Sequence, residues 1–276
     1  MGGGAAPVLG GRGLIVRYLR LLRLFARTEL QFALEYRVNI ALEIMQMLMV
    51  AGTSVAAVLI LFSYTQVMNG WTLEQMVVLL GVYYVVQGFE ELVLQPSFQR
   101  FMEQVRDGTL DFTLLKPVSS QFMVSFRYFQ TVQTLQVLLG FAITAVGLIR
   151  LSSVVTLQSA VAFAVTLACG FVLIYALLLV LSTLAFWFVR VDNLLAIFWA
   201  FIDAGRFPID IYPGWMRLTM STVVPVGIAV TVPAKAIVGL VDLQTLGLVL
   251  VATVVSFLVS RGFWRIGLRA YTGASA

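Results

Sequence analysis

The sequence contains no histidine, a single cysteine (Cys169) and only two lysines. One cysteine cannot form a disulfide within the chain, and metal sites of the histidine and cysteine kind are excluded. A phosphate-binding loop of the form Gly-x-x-x-x-Gly-Lys-Ser/Thr requires a lysine followed by a hydroxyl residue. Lys116 is followed by Pro117 and Lys235 by Ala236, so neither fits. We therefore expect no catalytic residues, no metal site, no bound cofactor and no ATP hydrolysis through such a loop.

Charged residues are also scarce, at 11% of the chain against 61% hydrophobic residues, and the mean hydropathy is +0.98. Soluble domains carry about a quarter charged residues, so this composition is typical of an integral membrane protein, here predicted to be all-α. A membrane span needs about 20 mostly apolar residues, and 276 residues allow six. The predicted spans are residues 38–63, 73–94, 122–149 and 157–189, a fifth that starts near Asn193, and residues 243–264.

Two patterns mark the N-terminal part of the chain. Residues 1–13 are glycine-rich and lack an apolar core followed by a cleavage site, so we expect a disordered segment rather than a cleaved signal peptide. In residues 14–37, arginines recur at steps of three and four within apolar sequence. This spacing predicts an amphipathic helix on the membrane surface, although a merely solvated basic face fits equally well. Residues 272–276 are predicted to be a short tail.

The distribution of basic residues predicts the orientation in the membrane, because cytoplasmic segments are enriched in lysine and arginine. With six spans and a cytoplasmic N-terminus, the inner segments hold 14 of the 18 basic residues. The outer segments hold Arg150, Arg206, Arg217 and Lys235. Both termini are therefore predicted to be cytoplasmic, and the polar passage at residues 105–117 lies on the same side.

Prolines interrupt the region after the fifth span. Residues 207–240 contain Pro208, Pro213, Pro225 and Pro233, and proline lacks the N–H that an uninterrupted helix needs. Non-helical backbone at membrane depth is tolerated only where protein or water shields it. We therefore expect a pair of short re-entrant helices that enter the outer leaflet and turn back before the last span.

A short amphipathic helix is predicted between the second and third spans. Gln95-Pro96 should break the second helix, Gly108 suits a left-handed helix cap, and Lys116-Pro117 should end any helical turn beyond that cap. The apolar face of this helix fits either the lipid surface or a groove in a partner protein. The residues of that face are Phe98, Phe101, Met102 and Val105.

The passage from Arg106 to Pro117 resembles a signature of type-2 ABC (ATP-binding-cassette) permeases. It is similar to a six-span bacterial exporter subfamily with the pattern basic-x-Gly-x-Leu-Asp-x-x-Leu-Leu-Lys/Arg-Pro between spans two and three. The matching run is Arg106-Asp107-Gly108-Thr109-Leu110-Asp111-Phe112-Thr113-Leu114-Leu115-Lys116-Pro117. Further matches at residues 207–213, 224–225, 232–234 and 264–271 extend the resemblance over nearly the whole chain, in order.

This resemblance implies partners and a role for residues 96–121. Two permease subunits would pair, as a homodimer or with a sister permease, and each would bind a nucleotide-binding ATPase subunit that carries ATP and Mg²⁺. Residues 96–121 would be a cytoplasmic coupling segment, assisted by the N-terminal helix, and the re-entrant helices would cap the outer end of the pathway. The implied coupling residues are Phe98, Phe101, Met102, Val105, Arg106, Asp107, Gly108, Leu110, Asp111, Lys116 and Pro117. The implied setting is the bacterial inner membrane, in contact with lipid and without nucleic acid.

Polar side chains inside spans are costly, so they mark either helix contacts or a transport pathway. In the first span Asn39, Glu43 and Gln46 share one face. Glu43 should lie near the cytoplasmic interface, where pairing with Arg37 and a pathway role are alternatives.

For acidic residues near the ends of two other spans the alternatives are again pairing with a basic residue and a role in the transport pathway. Gln87, Glu90 and Glu91 end the second span, and we expect one glutamate to pair with a basic residue such as Arg100 or Arg127. In the fifth span Asp203 precedes Arg206, which predicts an Asp–Arg pair.

The sequence bears on three function classes. The leading hypothesis is the permease subunit of an ABC exporter that moves a hydrophobic or amphipathic substrate outward, powered by a partner ATPase. An ion-coupled secondary transporter is the alternative, against which stands the lack of an obvious inverted repeat. An intramembrane enzyme is disfavoured because paired carboxylates and a Gly-x-Ser-x-Gly elbow are missing.

Overall fold

The computed structural model of the protein describes residues 11–152, 155–188 and 191–271. Residues 1–10 of the predicted disordered segment, Arg190 and the predicted tail 272–276 lie outside these ranges. The α-helices are α1 (Gly11–Glu35), α2 (Arg37–Tyr64), α3 (Leu73–Phe89), α4 (Gln95–Arg106), α5 (Asp111–Leu114), α6 (Ser120–Phe126), α7 (Thr134–Leu151), α8 (Leu157–Thr183), α9 (Asp192–Ala204), α10 (Gly214–Thr222), α11 (Val226–Ile237) and α12 (Leu243–Ala270).

Five helical stretches of the described residues are long and apolar enough to cross a membrane. They are Arg37–Tyr64, Leu73–Arg106, Thr131–Leu151, Leu157–Phe186 and Leu243–Ala270. α10 and α11 qualify only as a pair, bent by 90°, and α9 has 13 residues, too few to cross alone. The predicted all-α membrane fold with a bent helix pair before the last span is confirmed. A sixth crossing exists only where short helices are combined.

The prediction that Pro96 breaks the second helix was wrong. The helix continues from Leu73 to Arg106, because a single π-helical turn, Glu90–Leu94, joins α3 to α4. The N–H of Gln95 donates to the carbonyl oxygen of Glu90, five residues back, and Pro96 occupies the first turn of α4, where its missing donor costs little. The result is one long helix in which α4 continues α3 beyond the π-turn.

The third span begins later than predicted. Residues 122–126 belong to the separate helix α6, and the chain from Arg127 to Gln130 is not helical before a short 3-10 turn starts at Thr131. The hydroxyl of Ser97 donates to the carbonyl oxygen of Tyr128 at 2.9 Å and accepts from its N–H at 3.0 Å. The side chain of Ser97, next to Pro96, therefore provides hydrogen-bond partners for the non-helical backbone that interrupts the predicted span.

Small residues allow α3 and α7 to pack closely. A Cβ added to Gly81 would lie 2.4 Å from the backbone N of Thr144, and one added to Gly140 would lie 2.6 Å from that of Val85. Because neither backbone can move aside, each position excludes a side chain. Contact through paired small residues is the usual way in which membrane helices approach each other without a hydrophobic driving force.

The long helix α3–α4 is central and α2 and α12 are peripheral. Within the most apolar part of each span, 72% of the residues in Leu73–Arg106 are buried, against 17% in both Arg37–Tyr64 and Leu243–Ala270. α8 packs against α11 and α12, and α11 also contacts α3. The outer faces of α2 and α12 are therefore left for lipid or for another subunit.

Candidate functional site

The segment 96–121 extends beyond the second span and contains a hydrogen-bonded turn. At the end of α4, Gly108 adopts a φ of +68°. Its N–H donates to the carbonyl oxygen of Val105, and the N–H of Thr109 donates to that of Gln104. This pair of bonds is a Schellman motif, which closes a helix with glycine in the left-handed region. The predicted cap at Gly108 is confirmed.

The apolar face of α4 is turned inward. Phe98 and Phe101 are each 1% exposed and Met102 is 8% exposed, while Val105 is partly buried. The ring of Phe101 lies 5.5 Å from that of Phe186 and 5.4 Å from that of Trp264. These side chains thus join α4 to α12 and to the 3-10 turn, Leu184–Phe186, that follows α8.

The exposed tip of the segment presents apolar and charged side chains together. Phe112 and Leu115 are 72% and 81% exposed and lie one helical turn apart on and next to α5. Arg106, Asp107, Lys116 and Pro117 are also exposed, Asp111 is partly exposed, and Leu110 is fully buried beneath them. Phe112 and Leu115 are missing from the predicted coupling residues, although their three-residue spacing beside Lys116 in a polar passage was a usable signal.

The N-terminal helix α1 contacts this segment. The guanidinium of Arg17 donates to the carbonyl oxygen of Pro117 at 2.8 Å, and the rings of Tyr18 and Phe122 meet edge to face at 4.6 Å. These two contacts place the basic helix beside the tip at residues 112–116.

A second tie joins α1 to the irregular chain before α7. Arg127 lies 3.7 Å from the carboxylate of Glu29 and covers the ring of Phe25 at 4.5 Å. Burial raises the pKa of Glu29, and the charge of Arg127 partly opposes that shift. This pair was not predicted, because its members are far apart in the sequence and no local pattern links them.

The polar face predicted on the first span exists and is largely uncovered. The amide of Asn39 donates to the carboxylate of Glu43 at 2.5 Å, and the salt bridges between described residues do not include a pair of Glu43 with Arg37. Asn39 and Gln46 are exposed and Glu43 is partly exposed. A cavity of about 400 Å³ lined by Asn39 and Glu43 separates α2 from the chain before α7.

The acidic residues at the end of α3 do not find the predicted basic partners. Gln87 donates to Glu91 at 2.8 Å, whereas Glu90 is 1% exposed and one of its carboxylate oxygens has no partner among the described residues. The two arginines pair elsewhere: Arg100 lies 2.7 Å from Glu103, and Arg127 pairs with Glu29. The prediction that Arg100 or Arg127 neutralises a glutamate here was wrong.

The predicted pair in the fifth span is confirmed and contains a third member. Arg206 lies 3.1 Å from Asp203, and its Nε donates to the hydroxyl of Tyr83 at 3.1 Å. The Tyr83 hydroxyl in turn donates to Asp203 at 3.2 Å. This triangle joins the end of α9 to the central helix α3.

The prolines after α9 shape the bent helix pair. Pro208 and Pro213 flank a short 3-10 turn, and Pro225 lies between α10 and α11 at the 90° bend. Pro233 is accommodated inside α11 without breaking it.

A polar cluster lies beside this pair, at the end of the bundle opposite the 96–121 segment. Lys235 lies 2.8 Å from Asp210, to which the Trp71 indole also donates at 3.2 Å. Arg217 donates to the backbone carbonyl of Asp210. The cluster thus fixes the turn after α9 to both the loop before α3 and helix α11.

Comparisons with known proteins agree with this architecture. Residues 47–275 match a family model described as ABC-2 family transporter protein. No curated protein and no solved structure matches the chain. The matched range includes all five long spans except the first turns of α2, the 96–121 segment and the bent helix pair. This multi-pass membrane chain therefore belongs to the ABC-2 family of transporter proteins.

Proposed function

We propose that the chain is the permease subunit of an ABC exporter, which couples ATP hydrolysis by a separate subunit to outward movement of a hydrophobic or amphipathic substrate. Membership of the ABC-2 family makes the chain a membrane transport component and implies an ATP-binding partner in general. That membership favours this function over an ion-coupled secondary transporter. The proposed setting is the bacterial inner membrane, with both termini in the cytoplasm.

The observation that carries the proposal is the exposed pair Phe112 and Leu115, just beyond a hydrogen-bonded turn. Adjacent exposed apolar side chains rimmed by polar residues are typical of protein interaction sites, and this end of the bundle is predicted to leave the membrane. The neighbouring Lys116 and Asp107 supply the polar rim that is usual around a buried apolar contact. We assign this tip as the docking site of the ATPase.

The packing of α4 determines how a conformational change of the ATPase would be transmitted to the spans. A push on the tip would act on the Schellman turn at Gly108 and then on Phe98 and Phe101, which contact α8 and α12. Since α4 is continuous with α3, the same displacement reaches the triangle of Tyr83, Asp203 and Arg206 through Tyr83, which lies within α3. The coupling role of Phe98, Phe101 and Met102 would therefore be indirect.

The exposed polar face of α2 supports a second permease subunit. Asn39 and Gln46 facing hydrocarbon would be costly, and such residues almost always face protein or a water-filled cavity. A second copy packed against this face would cover it and create a polar-lined path between the two subunits. Both ATP and Mg²⁺ would bind to the partner ATPase.

The test is retention of the ATPase by the purified permease. The double variant Phe112→Ser with Leu115→Ser should lose most of the co-purifying ATPase and of its transport-linked hydrolysis. Leu218→Ser is the matched control, because Leu218 is 64% exposed on α10 at the opposite end. Undiminished retention by the double variant would exclude the tip as the docking site.

A further inference from the structure

A cavity of about 410 Å³ lies between α6, α8 and α12, beside the 96–121 segment. This volume is within the range of small-molecule sites. Most of the wall is aromatic, and the rings of Phe89 and Phe171 stack at 4.1 Å. The rest of the apolar lining is Leu94, Phe122, Phe126, Val172 and Phe257. The cavity is on the flank of the bundle, away from the polar face of α2.

Polar groups converge on the same cavity. Gln121 donates one amide N–H to the hydroxyl of Tyr175 at 2.9 Å, and that hydroxyl also lies 3.2 Å from the hydroxyl of Ser125. The second amide N–H of Gln121 has no acceptor among the described residues. Arg261 lines the cavity from α12, and the salt bridges between described residues do not include it. The cavity therefore offers a cation and an amide donor without a matching carboxylate.

We propose that this cavity binds an anionic phospholipid, with the phosphate at Arg261 and Gln121 and part of one acyl chain along the phenylalanine rings. A guanidinium is a strong donor to phosphate oxygens. The three arginines of α12, Arg261, Arg265 and Arg269, all lie in its C-terminal part, which the charge distribution predicts to be at the inner leaflet. That is the height at which lipid phosphates occur and where anionic lipids attract basic side chains.

Bound lipid would hold α6 against α8 and α12. α6 comes directly after the exposed tip, and its Phe122 also contacts Tyr18 of α1. Occupancy would therefore stiffen the connection between the projecting segment and the spans. Lipid binding at this flank requires no ATPase, so its test is independent of the proposed permease function.

The test compares retained lipids on the purified full chain by native mass spectrometry. With phosphatidylglycerol and phosphatidylcholine supplied equally, the unaltered chain should retain phosphatidylglycerol preferentially. Arg261→Gln should weaken that retention about fivefold, the effect of one arginine near an anionic surface. Arg265→Gln is the matched control, because Arg265 is exposed on the same helix but does not line the cavity.

A second variant and a competitor distinguish binding in the cavity from a general effect of removing a positive charge. Val172→Trp should fill the cavity and lower retention while Arg261 is still present, and thermal unfolding would show that the variant is folded. Glycerol 3-phosphate, which lacks acyl chains, should fail to displace the lipid. Equal retention by Arg261→Gln and the control, unchanged retention by Val172→Trp, or displacement by glycerol 3-phosphate would each overturn the assignment.

Discussion

The backbone N–H of Gln130 donates to the carbonyl oxygen of Leu92 at 3.0 Å. Leu92 is four residues before Pro96, which has no N–H to offer to that oxygen. Because Pro96 cannot donate to it, the carbonyl oxygen of Leu92 is free to accept from Gln130. The N–H of Gln130 in turn lacks a helical partner, because the chain is not helical just before α7. Pro96 and the interruption at 127–130 are two parts of one structural element, at the base of the projecting segment.

Removal of the Ser97 hydroxyl should weaken this element. Ser97 is 1% exposed and bonds both the N–H and the carbonyl of Tyr128, so Ser97→Ala would leave these two partly buried backbone groups unpaired. We expect a loss of about 1–3 kcal/mol in the free energy of unfolding, measured by denaturant unfolding in detergent. Ser63→Ala, at an exposed serine on α2, is the control and should change little. Equal effects of the two substitutions would contradict the assigned role.

Substitution by alanine should have opposite effects on stability at two helical glycines. Gly140 lies at the close contact of α3 and α7, whereas Gly247 lies on an open face of α12. Gly140→Ala places a methyl group 2.6 Å from the Val85 backbone N, and overpacking of this kind costs about 1–3 kcal/mol. Gly247→Ala, in α12, meets nothing within 4 Å and should stabilise the helix by roughly 0.5–1 kcal/mol. Thermal unfolding midpoints should therefore fall for Gly140→Ala and rise for Gly247→Ala. A tolerated Gly140→Ala would show that the helices are further apart.

The Asp210 cluster should make stability depend on pH in the acidic range. Burial alone would raise the pKa of Asp210, but hydrogen bonds from Lys235 and Trp71, with the charges of Lys235 and Arg217, outweigh it and hold the pKa below its usual value. A depressed carboxyl pKa stabilises the folded state above the unfolded value of about 3.9, and the contribution is lost as the pH falls through the folded value.

Asp210→Asn should accordingly lower stability at pH 7 by about 1 kcal/mol, a modest figure because the pair is partly exposed. The difference between the two proteins should be constant above about pH 5 and shrink below about pH 4. Unfolding midpoints measured from pH 7 to pH 3 would show this convergence. A difference that persists unchanged to pH 3 would mean that the ionised carboxylate does not contribute.

Pairing of two permease subunits through α2 can be tested by cross-linking. In a Cys169→Ala background, which removes the single native cysteine, Gln46→Cys should form disulfide-linked dimers in membranes on mild oxidation. Leu258→Cys is the control, since Leu258 is 61% exposed on the apolar face of α12 and should face lipid. Cross-linking of the control alone would place the interface on α12 instead.

Several elements were predictable because they depend on local sequence. α2, α8 and α12 begin within a residue of their predicted starts, since each is a long apolar run with a polar boundary. The cap at Gly108 and the pair of Asp203 with Arg206 were also predictable, because the interacting residues are close in sequence. The family assignment came from short motifs and is confirmed by the match over residues 47–275.

Predictions failed where the outcome depends on distant residues. Pro96 was expected to end a helix, but the π-turn and the donor from Gln130 allow the helix to continue. Either Glu90 or Glu91 was expected to pair with a basic residue such as Arg100 or Arg127, but Arg127 pairs with Glu29 on α1. Hydropathy describes each segment separately, and these outcomes are set by competition among several segments for the same donor or charge.

Composition and local pattern were sufficient for an all-α membrane protein, for most of its span positions and for the projecting polar passage. The contacts between segments decided the rest: that α4 continues the second span, that its apolar face is buried against α8 and α12, and that Phe112 and Leu115 are left exposed. The physical reason is that apolar sequence establishes only that a side chain will leave water. Whether it enters lipid, its own bundle or a partner depends on which surfaces the folded chain has already covered.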